Sequence, residues 1–267
     1  ASTLNFGATT VGGQLTATST TGNITDSGAL AITGAASITA TANGTDITLD
    51  TSTNNFASTV SFASGGTLAN VTVADTNALA LGALTLSNNL LVTAGGAVPQ
   101  SAALTVSGTS SFTSTGTDAN ITLTQANAFS GDVTLTTAGT AGDVSIDNNT
   151  TALGIQGTIN GGLTVVNGAA ITDSDTLTVT GASSFTIDTG SNHITLGTAA
   201  LTGAIGVSTT GTSNFTLDNT TTAVNLGTVG VTGALSVTSG ETITDSGVIT
   251  VAGTSSFTTD VNDKDII

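Results

Sequence analysis

Few residues of this chain are equipped for chemistry. Among its 267 residues there is one histidine, His193, one glutamate, Glu241, one lysine, Lys264, and no arginine, cysteine, methionine, tryptophan or tyrosine. Zinc needs several thiolate, imidazole or carboxylate ligands, and nucleophilic catalysis needs a base beside the nucleophile. Without cysteine or a second histidine, neither constellation forms. Glycosidic cleavage needs two carboxyls about 5–10 Å apart, one with a raised pKa. The 17 acidic residues are instead scattered, mostly in turns, and Lys264 is the only basic group to stabilise developing charge. His193 precedes Ile194-Thr-Leu196 in the place that Asp46, Asn120 and Asp265 hold before other apolar residues, a turn position open to any polar side chain. No catalytic residue and no cofactor site is expected. The one candidate metal site is the oxygen-rich stretch of Asp260, Asn262, Asp263 and Asp265, which could hold calcium. It departs from the EF-hand loop and from the glycine-rich calcium repeats of β-rolls, and a solvated turn accounts for it.

Charge and composition exclude further classes. A net charge of −16 repels phosphate backbones and anionic membrane surfaces. No apolar run reaches the ~18 residues of a membrane span, and no signal peptide is recognisable. Apolar residues make up 38% of the chain and charged ones 7%, the reverse of a disordered composition. The absence of cysteine suits a reducing compartment or a secreted protein stable without disulfides. The narrow residue vocabulary suits a very long exported chain, of which a sequence opening at Ala1 reads as a processed or excised part.

The elements that position these residues follow a repeat. Ile24-Thr-Asp-Ser-Gly28 returns as Ile171-Thr-Asp-Ser-Asp175 and Ile243-Thr-Asp-Ser-Gly247, with a worn copy at Val98-Pro-Gln-Ser101. Asp26, Asp173 and Asp245 thus recur, and they read as Asx-turns closing on their own backbone. Phe112, Phe185 and Phe257 form a second marker, and the glycines Gly7, Gly82, Gly154 and Gly227 a third. All three give a period near 73 residues (for the first, 98 − 24 = 74, 171 − 98 = 73, 243 − 171 = 72). The units run approximately 1–23 (partial), 24–97, 98–170, 171–242 and 243–267 (partial), within one continuous segment, 1–267.

Each unit consists of short stretches in which an apolar residue alternates with Thr or Ser, the signature of half-buried strands. In the first full unit nine strands are legible: at Ile24, Leu30–Thr33, Ser37–Thr39, Asp46–Leu49, Thr59–Phe62, Asn70–Val73, Ala78–Leu81, Ala83–Leu86 and Leu90–Thr93. No stretch has helical spacing. The fold class is all-β, and the architecture expected is a right-handed parallel β-helix with three coils of about 24 residues per repeat. The three phenylalanines, three coils apart, would mark a recurrent wide place in the core. One repeat would rise about 14–15 Å at ~4.8 Å per coil. Neither end resembles a cap, and Asp265-Ile-Ile267 aligns with the opening of the Asp46–Leu49 strand. Further coils of the same chain, or identical chains stacked end to end, are the expected partners.

Ile171-Thr-Asp-Ser-Asp-Thr-Leu-Thr-Val-Thr-Gly181, Ser184-Phe-Thr186, Ile194-Thr-Leu196 and Asn127-Ala-Phe-Ser-Gly131 resemble, in repeat style, the filamentous-haemagglutinin type of giant bacterial surface protein. The resemblance covers essentially the whole chain. It implies a β-helical shaft, export by a two-partner or autotransporter route, and a part in adhesion, filaments or biofilm at the bacterial cell surface. A host-cell or matrix surface would then be a partner, with no nucleic acid and no membrane insertion. The amino-terminal secretion domain of that family is not in this sequence. The expected function is a non-catalytic segment of an extracellular filament or adhesin shaft. The alternatives are a carbohydrate- or surface-binding module acting through the solenoid wall, and ice binding by Thr-x-Thr ladders such as Thr178-Val-Thr180. Incubation with acidic, neutral and aminated polysaccharides is expected to release no new reducing ends or unsaturated products. Turnover that disappears in His193→Ala or Glu241→Gln would overturn the non-catalytic reading.

Overall fold

Strands this close in sequence cannot pair with their neighbours in parallel, because a parallel connection needs a dozen or more residues. Pairing with the strand one full turn later meets that requirement everywhere at once. The computed structural model describes residues 2–261 and 264–267, and its regular structure is all β, with no helix among the described residues. Parallel strands stack as a β-solenoid of about 12 turns, each of roughly 21 residues. At ~4.8 Å per turn this is a rod about 58 Å long.

Three walls enclose the core. On the first, Leu4 pairs with Ile24, Ile24 with Ile47, Ile47 with Val71, Val71 with Leu90, and Leu90 with Ser110. On the second, the line runs Val98, Ile121, Val144, Leu163, Ser183, Ile205. On the third it runs Ile171, Ile194, Phe215, Leu235, Ser255. The alternation read from sequence sets the faces. Ile47 and Leu49 point inward and are fully buried, while Thr48 between them is half-exposed. Phe112 and Phe129, on different walls, meet edge to face across the core, ring centres 5.7 Å apart. Outside, Thr93, Thr113, Thr136, Thr158 and Thr178 form an unbroken column over five turns of the first wall.

The repeat is not three coils long. Three turns carry Ile24 to Leu90, which stands eight residues short of Val98 (98 − 90). Three turns carry Val98 to Leu163, eight short of Ile171 (171 − 163). Three turns carry Ile171 to Leu235, again eight short of Ile243 (243 − 235). Eight residues are one more strand, so each repeat has ten strands and ends one wall further round. The tenth strand in the first full unit is Asn55–Phe56, paired with Ala31 and Ile32. With it, the expected coil of about 24 residues shortens to roughly 21, and the rise per repeat becomes about 16 Å. The phenylalanine markers are corrected likewise. Phe112 pairs on the first wall, Phe185 on the second and Phe257 on the third, so they mark no single wide place.

The turns stack as closely as the strands. A Cβ on Gly181 would lie 2.6 Å from the carbonyl carbon of Gly161, one coil below. Gly44, Gly161 and Gly168, each preceded by an asparagine, donate their N–H groups to Thr67, Gly142 and Asn149 carbonyls at 2.8, 3.0 and 2.5 Å. The marker glycines are not of one kind: a Cβ on Gly154 would lie 2.5 Å from Asp132 Oδ1, and Gly82 donates its N–H to the Val60 carbonyl at 2.9 Å. None of Gly7, Gly82, Gly154 and Gly227 has positive φ, and a Cβ on Gly7 would meet nothing within 4 Å. Gly181→Ala is expected to cost about 1–3 kcal/mol by overpacking, and Gly7→Ala to stay within about 0.5 kcal/mol of the parent. Urea denaturation midpoints of the two variants check the contrast, and equal effects would contradict the stacking argument.

Candidate functional site

The side chains with chemical potential sit at the corners between walls, where they bond to neighbouring coils. Asn23 Oδ1 accepts the N–H of Asp46 at 3.0 Å, Asp46 Oδ1 that of Asn70 at 3.1 Å, Asn70 Oδ1 that of Asn89 at 3.1 Å, and Asn89 Oδ1 that of Thr109 at 2.9 Å. Each rung satisfies a backbone donor one turn later, at a corner where the sheet ladder is interrupted. His193 is a rung of the same kind. Its Nδ1 accepts the N–H of Asn214 at 3.0 Å, and Asn214 Oδ1 in turn accepts that of Ala234 at 2.8 Å. An accepting Nδ1 puts the ring proton on Nε2. The histidine does the work of an asparagine.

The recurrent motif is a clamp reaching both ways along the axis. Below, Ser27 donates its N–H and hydroxyl to the Phe6 carbonyl at 2.7 and 3.3 Å, Ser101 likewise to Leu81 at 2.9 and 3.3 Å, and Ser174 its hydroxyl to Gln156 Oε1 at 3.1 Å. Above, Asp26 Oδ2 accepts from Asn54 Nδ2 at 2.6 Å and the Thr51 N–H at 3.4 Å. Asp173 accepts the N–H groups of Gly197 at 2.7 Å and Thr198 at 2.6 Å. In the worn copy, Gln100 takes the carboxylate's place, exchanging bonds of 2.8 and 3.0 Å with the Asn127 amide. The Asx-turns expected at Asp26 and Asp173 are therefore corrected: both carboxylates close on the next coil, 24 to 28 residues away. Asp245 pairs with Leu226 one coil below, and its neighbour Ser246 donates its N–H to the Leu226 carbonyl at 2.8 Å.

Glu241 and Lys264 form an ion pair with both side chains partly exposed; a surface pair of this kind contributes about 0–1 kcal/mol. Of the calcium candidates, Asp260 follows the strand Ser255–Thr259, and the Asp265 carbonyl accepts the Ile243 N–H at 3.0 Å, while Asn262 and Asp263 lie outside the described residues. Among the described residues no three His, Cys, Asp or Glu side chains are grouped to hold a metal. A groove of about 320 Å³ lined by Phe62, Leu68, Leu84 and small neighbours contains no titratable group.

Sequence reasoning missed the buried amides. Asn54, Asn127, Asn148, Asn167 and Asn219 are fully buried. Asn127 accepts the Leu104 N–H and donates to the Leu123 and Asp147 carbonyls, all at 2.9 Å. Their signal was an asparagine flanking or closing a two- to five-residue strand, which composition alone does not separate from an ordinary turn. Among the described residues three carboxyls depart from the usual range. Thr140 and Ala141 N–H groups, 2.6 and 2.8 Å away, hold exposed Asp118 below it. Burial raises Asp218, helped by the charges of Asp260 and Asp173. Asp75 points inward and is 4% exposed, with Oδ1 accepting from Phe56 and Asn77 N–H groups at 3.2 Å and Oδ2 unpartnered. Burial pushes its pKa up against the pull of those donors.

A carboxyl whose pKa is higher folded than unfolded is stabilising while protonated and loses that contribution as pH rises through the folded value. Asp75→Asn keeps the acceptor and removes the buried charge. It is therefore expected to raise the melting temperature at pH 7, with the gain vanishing below about pH 3.9. Melts at the two pH values check this, and a variant that melts lower at pH 7 would contradict it.

The chain belongs to a family described as repeats of unknown function (DUF5649), whose repeat matches residues 1–63, 68–136, 141–211 and 212–267. No curated protein and no solved structure matches the chain.

Proposed function

We propose that this repeat solenoid is a structural segment of an extracellular bacterial filament or adhesin shaft of the filamentous-haemagglutinin style, without catalytic activity. The observation that carries the reading is the use made of the recurrent polar groups. The motif serine and its carboxylate or amide are spent on bonds between coils, at corners that move one wall round with each repeat. A binding wall needs its recognition residues aligned on one face, whereas a shaft needs its coils fastened on every side. Parallel strand pairing joins coil to coil along the described chain, so further coils, from a longer chain or an identical neighbour, add by the same kind of pairing. Those coils are the partner proposed first, and a host-cell or matrix surface the second. The threonine column from Thr93 to Thr178 on the first wall favours one alternative, attachment to a carbohydrate or ice surface through that wall.

Electron microscopy of the native material, together with co-sedimentation on insoluble polysaccharides and ice-shaping assays, separates these readings. The shaft reading expects thin rods with an axial repeat near 16 Å and no co-sedimentation or ice shaping. Discrete globular particles, or binding abolished by Thr136→Lys, would overturn it.

A further inference from the structure

His193 does the work of an asparagine only while its ring is neutral. The corner rungs at Asn23, Asn70, Asn89 and Asn120 accept an N–H through an amide oxygen, and those at Asp46 and Asp143 through a carboxylate. Amides do not titrate, and a carboxylate accepts throughout the neutral and mildly acid range. At His193 the lone pair on Nδ1 that receives the Asn214 N–H at 3.0 Å is also the one that takes up a second proton. An imidazolium has two donors and no acceptor. The bond seats one turn on another, residues 210–213 lying over 189–192. Thr210 Oγ1 donates to the Gly190 carbonyl at 3.2 Å, the Thr212 N–H to Ser191 Oγ at 3.2 Å, and the Asn214 N–H to the ring at 3.0 Å, the shortest of the three. Asn214 passes the contact on, because its Oδ1 accepts the Ala234 N–H at 2.8 Å in the next coil. The ring itself is exposed, so solvent supplies the proton directly.

We infer that His193 is an acid-sensitive catch: a second proton on Nδ1 removes the acceptor, leaves the Asn214 N–H facing another donor, and frees the turn 210–214 to lift from the coil below. The incoming proton and the Asn214 N–H compete for one lone pair, and the ring cannot hold both. Histidine is the side chain whose charge changes between about pH 5 and 8. The catch is therefore closed at the upper end of that range and open at the lower. The charged groups on the elements packed around the ring are all carboxylates. Asp188 opens the turn that leads to His193. On the strand below, Ile171–Val179, stand Asp175 and Asp173, and Asp173 is bonded to Gly197 and Thr198 beyond the far end of Ile194–Leu196. On the strand above, Phe215–Asn219, Asp218 stands towards the far end. None of these is bonded to the ring. The pairing of Ile194–Leu196 with Phe215–Leu217 does not involve the imidazole, so the opening is confined to one corner. The catch is a property of that corner and does not rest on the shaft reading.

The test is amide hydrogen exchange of the whole chain at about pH 8 and pH 5, the ends of the histidine range, with each rate divided by that of an unprotected amide at the same pH. Protection of the Asn214 N–H is expected to fall about tenfold at the lower pH, the effect of losing one hydrogen bond. The N–H groups of Thr109 and Asp143, held by Asn89 and Asn120, are expected to keep theirs within about twofold. His193→Asn supplies an acceptor that does not titrate, and is expected to protect Asn214 equally at both pH values. His193→Ala is expected to leave it unprotected at both. Nitrogen NMR of the parent is expected to place the neutral ring's proton on Nε2. Equal protection of Asn214 at the two pH values in the parent, or a fall shared by Thr109 and Asp143, would overturn the inference. So would the same pH dependence in His193→Asn, or a neutral ring protonated on Nδ1. If a variant fails to fold, the parent's exchange and its ring tautomer decide. A globular particle in microscopy would remove the shaft reading without touching these measurements.

Discussion

Every wall strand in this molecule depends on a partner about twenty residues away along the chain, and on nothing nearer. A strand of three to five residues is too short to persist by itself, and turns of a few residues forbid parallel pairing with its sequence neighbours. Local structure and global fold are consequently one event. A strand exists only once a whole turn has closed, and each closed turn is the template for the next. Chemical variety at the corners, the small hydroxylated wall residues and the tolerance for unequal loops all follow from that dependence.

The corners show how the chain handles its polar groups. Sheet ladders satisfy the walls, but where the backbone turns from one wall to the next its donors and acceptors lose their regular partners. Asparagine, aspartate, glutamine and one histidine supply them, some within the same corner and many towards an adjacent coil. Asp26, Asp46, Asp118, Asp143 and Asp173 spend their negative charge on such fastening. Asp118 and Asp173 sit where two N–H groups converge. Asp75 differs in being almost wholly buried: one oxygen accepts the Phe56 N–H of an adjacent coil and the other has no partner, in the column that continues through Ala94 and Ser114.

Fold class was legible because apolar–hydroxyl alternation and a 73-residue period are both strong signals in a chain of so few residue types. The turn length was not, and the reason is a single strand. Asn55–Phe56 is two residues long and presents one buried side chain, so it has no alternation to detect. Without it nine strands divide neatly by three; with it ten do not. The role of His193 was legible from its position in the repeat, which placed it among asparagines and aspartates. The direction of the carboxylate bonds was not, since Thr-Asp-Ser serves an Asx-turn and an inter-coil clamp equally well. Only the presence of a loop directly above decides between them.

The asparagine–glycine steps carry a consequence for the age such a molecule can reach. At Asn-Gly the glycine nitrogen attacks the side-chain amide, expelling ammonia through a five-membered ring, and this sets the chemical clock of many proteins kept for long outside cells. At Asn43, Asn160 and Asn167 the following glycine holds its N–H against a carbonyl of an adjacent coil. The asparagine side chains are engaged as well: Asn43 by the Thr67 N–H, Asn160 by the Thr137 carbonyl and Asn167 by three carbonyls at 3.1 Å. Ring closure must wait for a coil to lift. In a chain that also lacks methionine, cysteine, tryptophan and tyrosine, the stacking that shapes the rod slows its spoilage too.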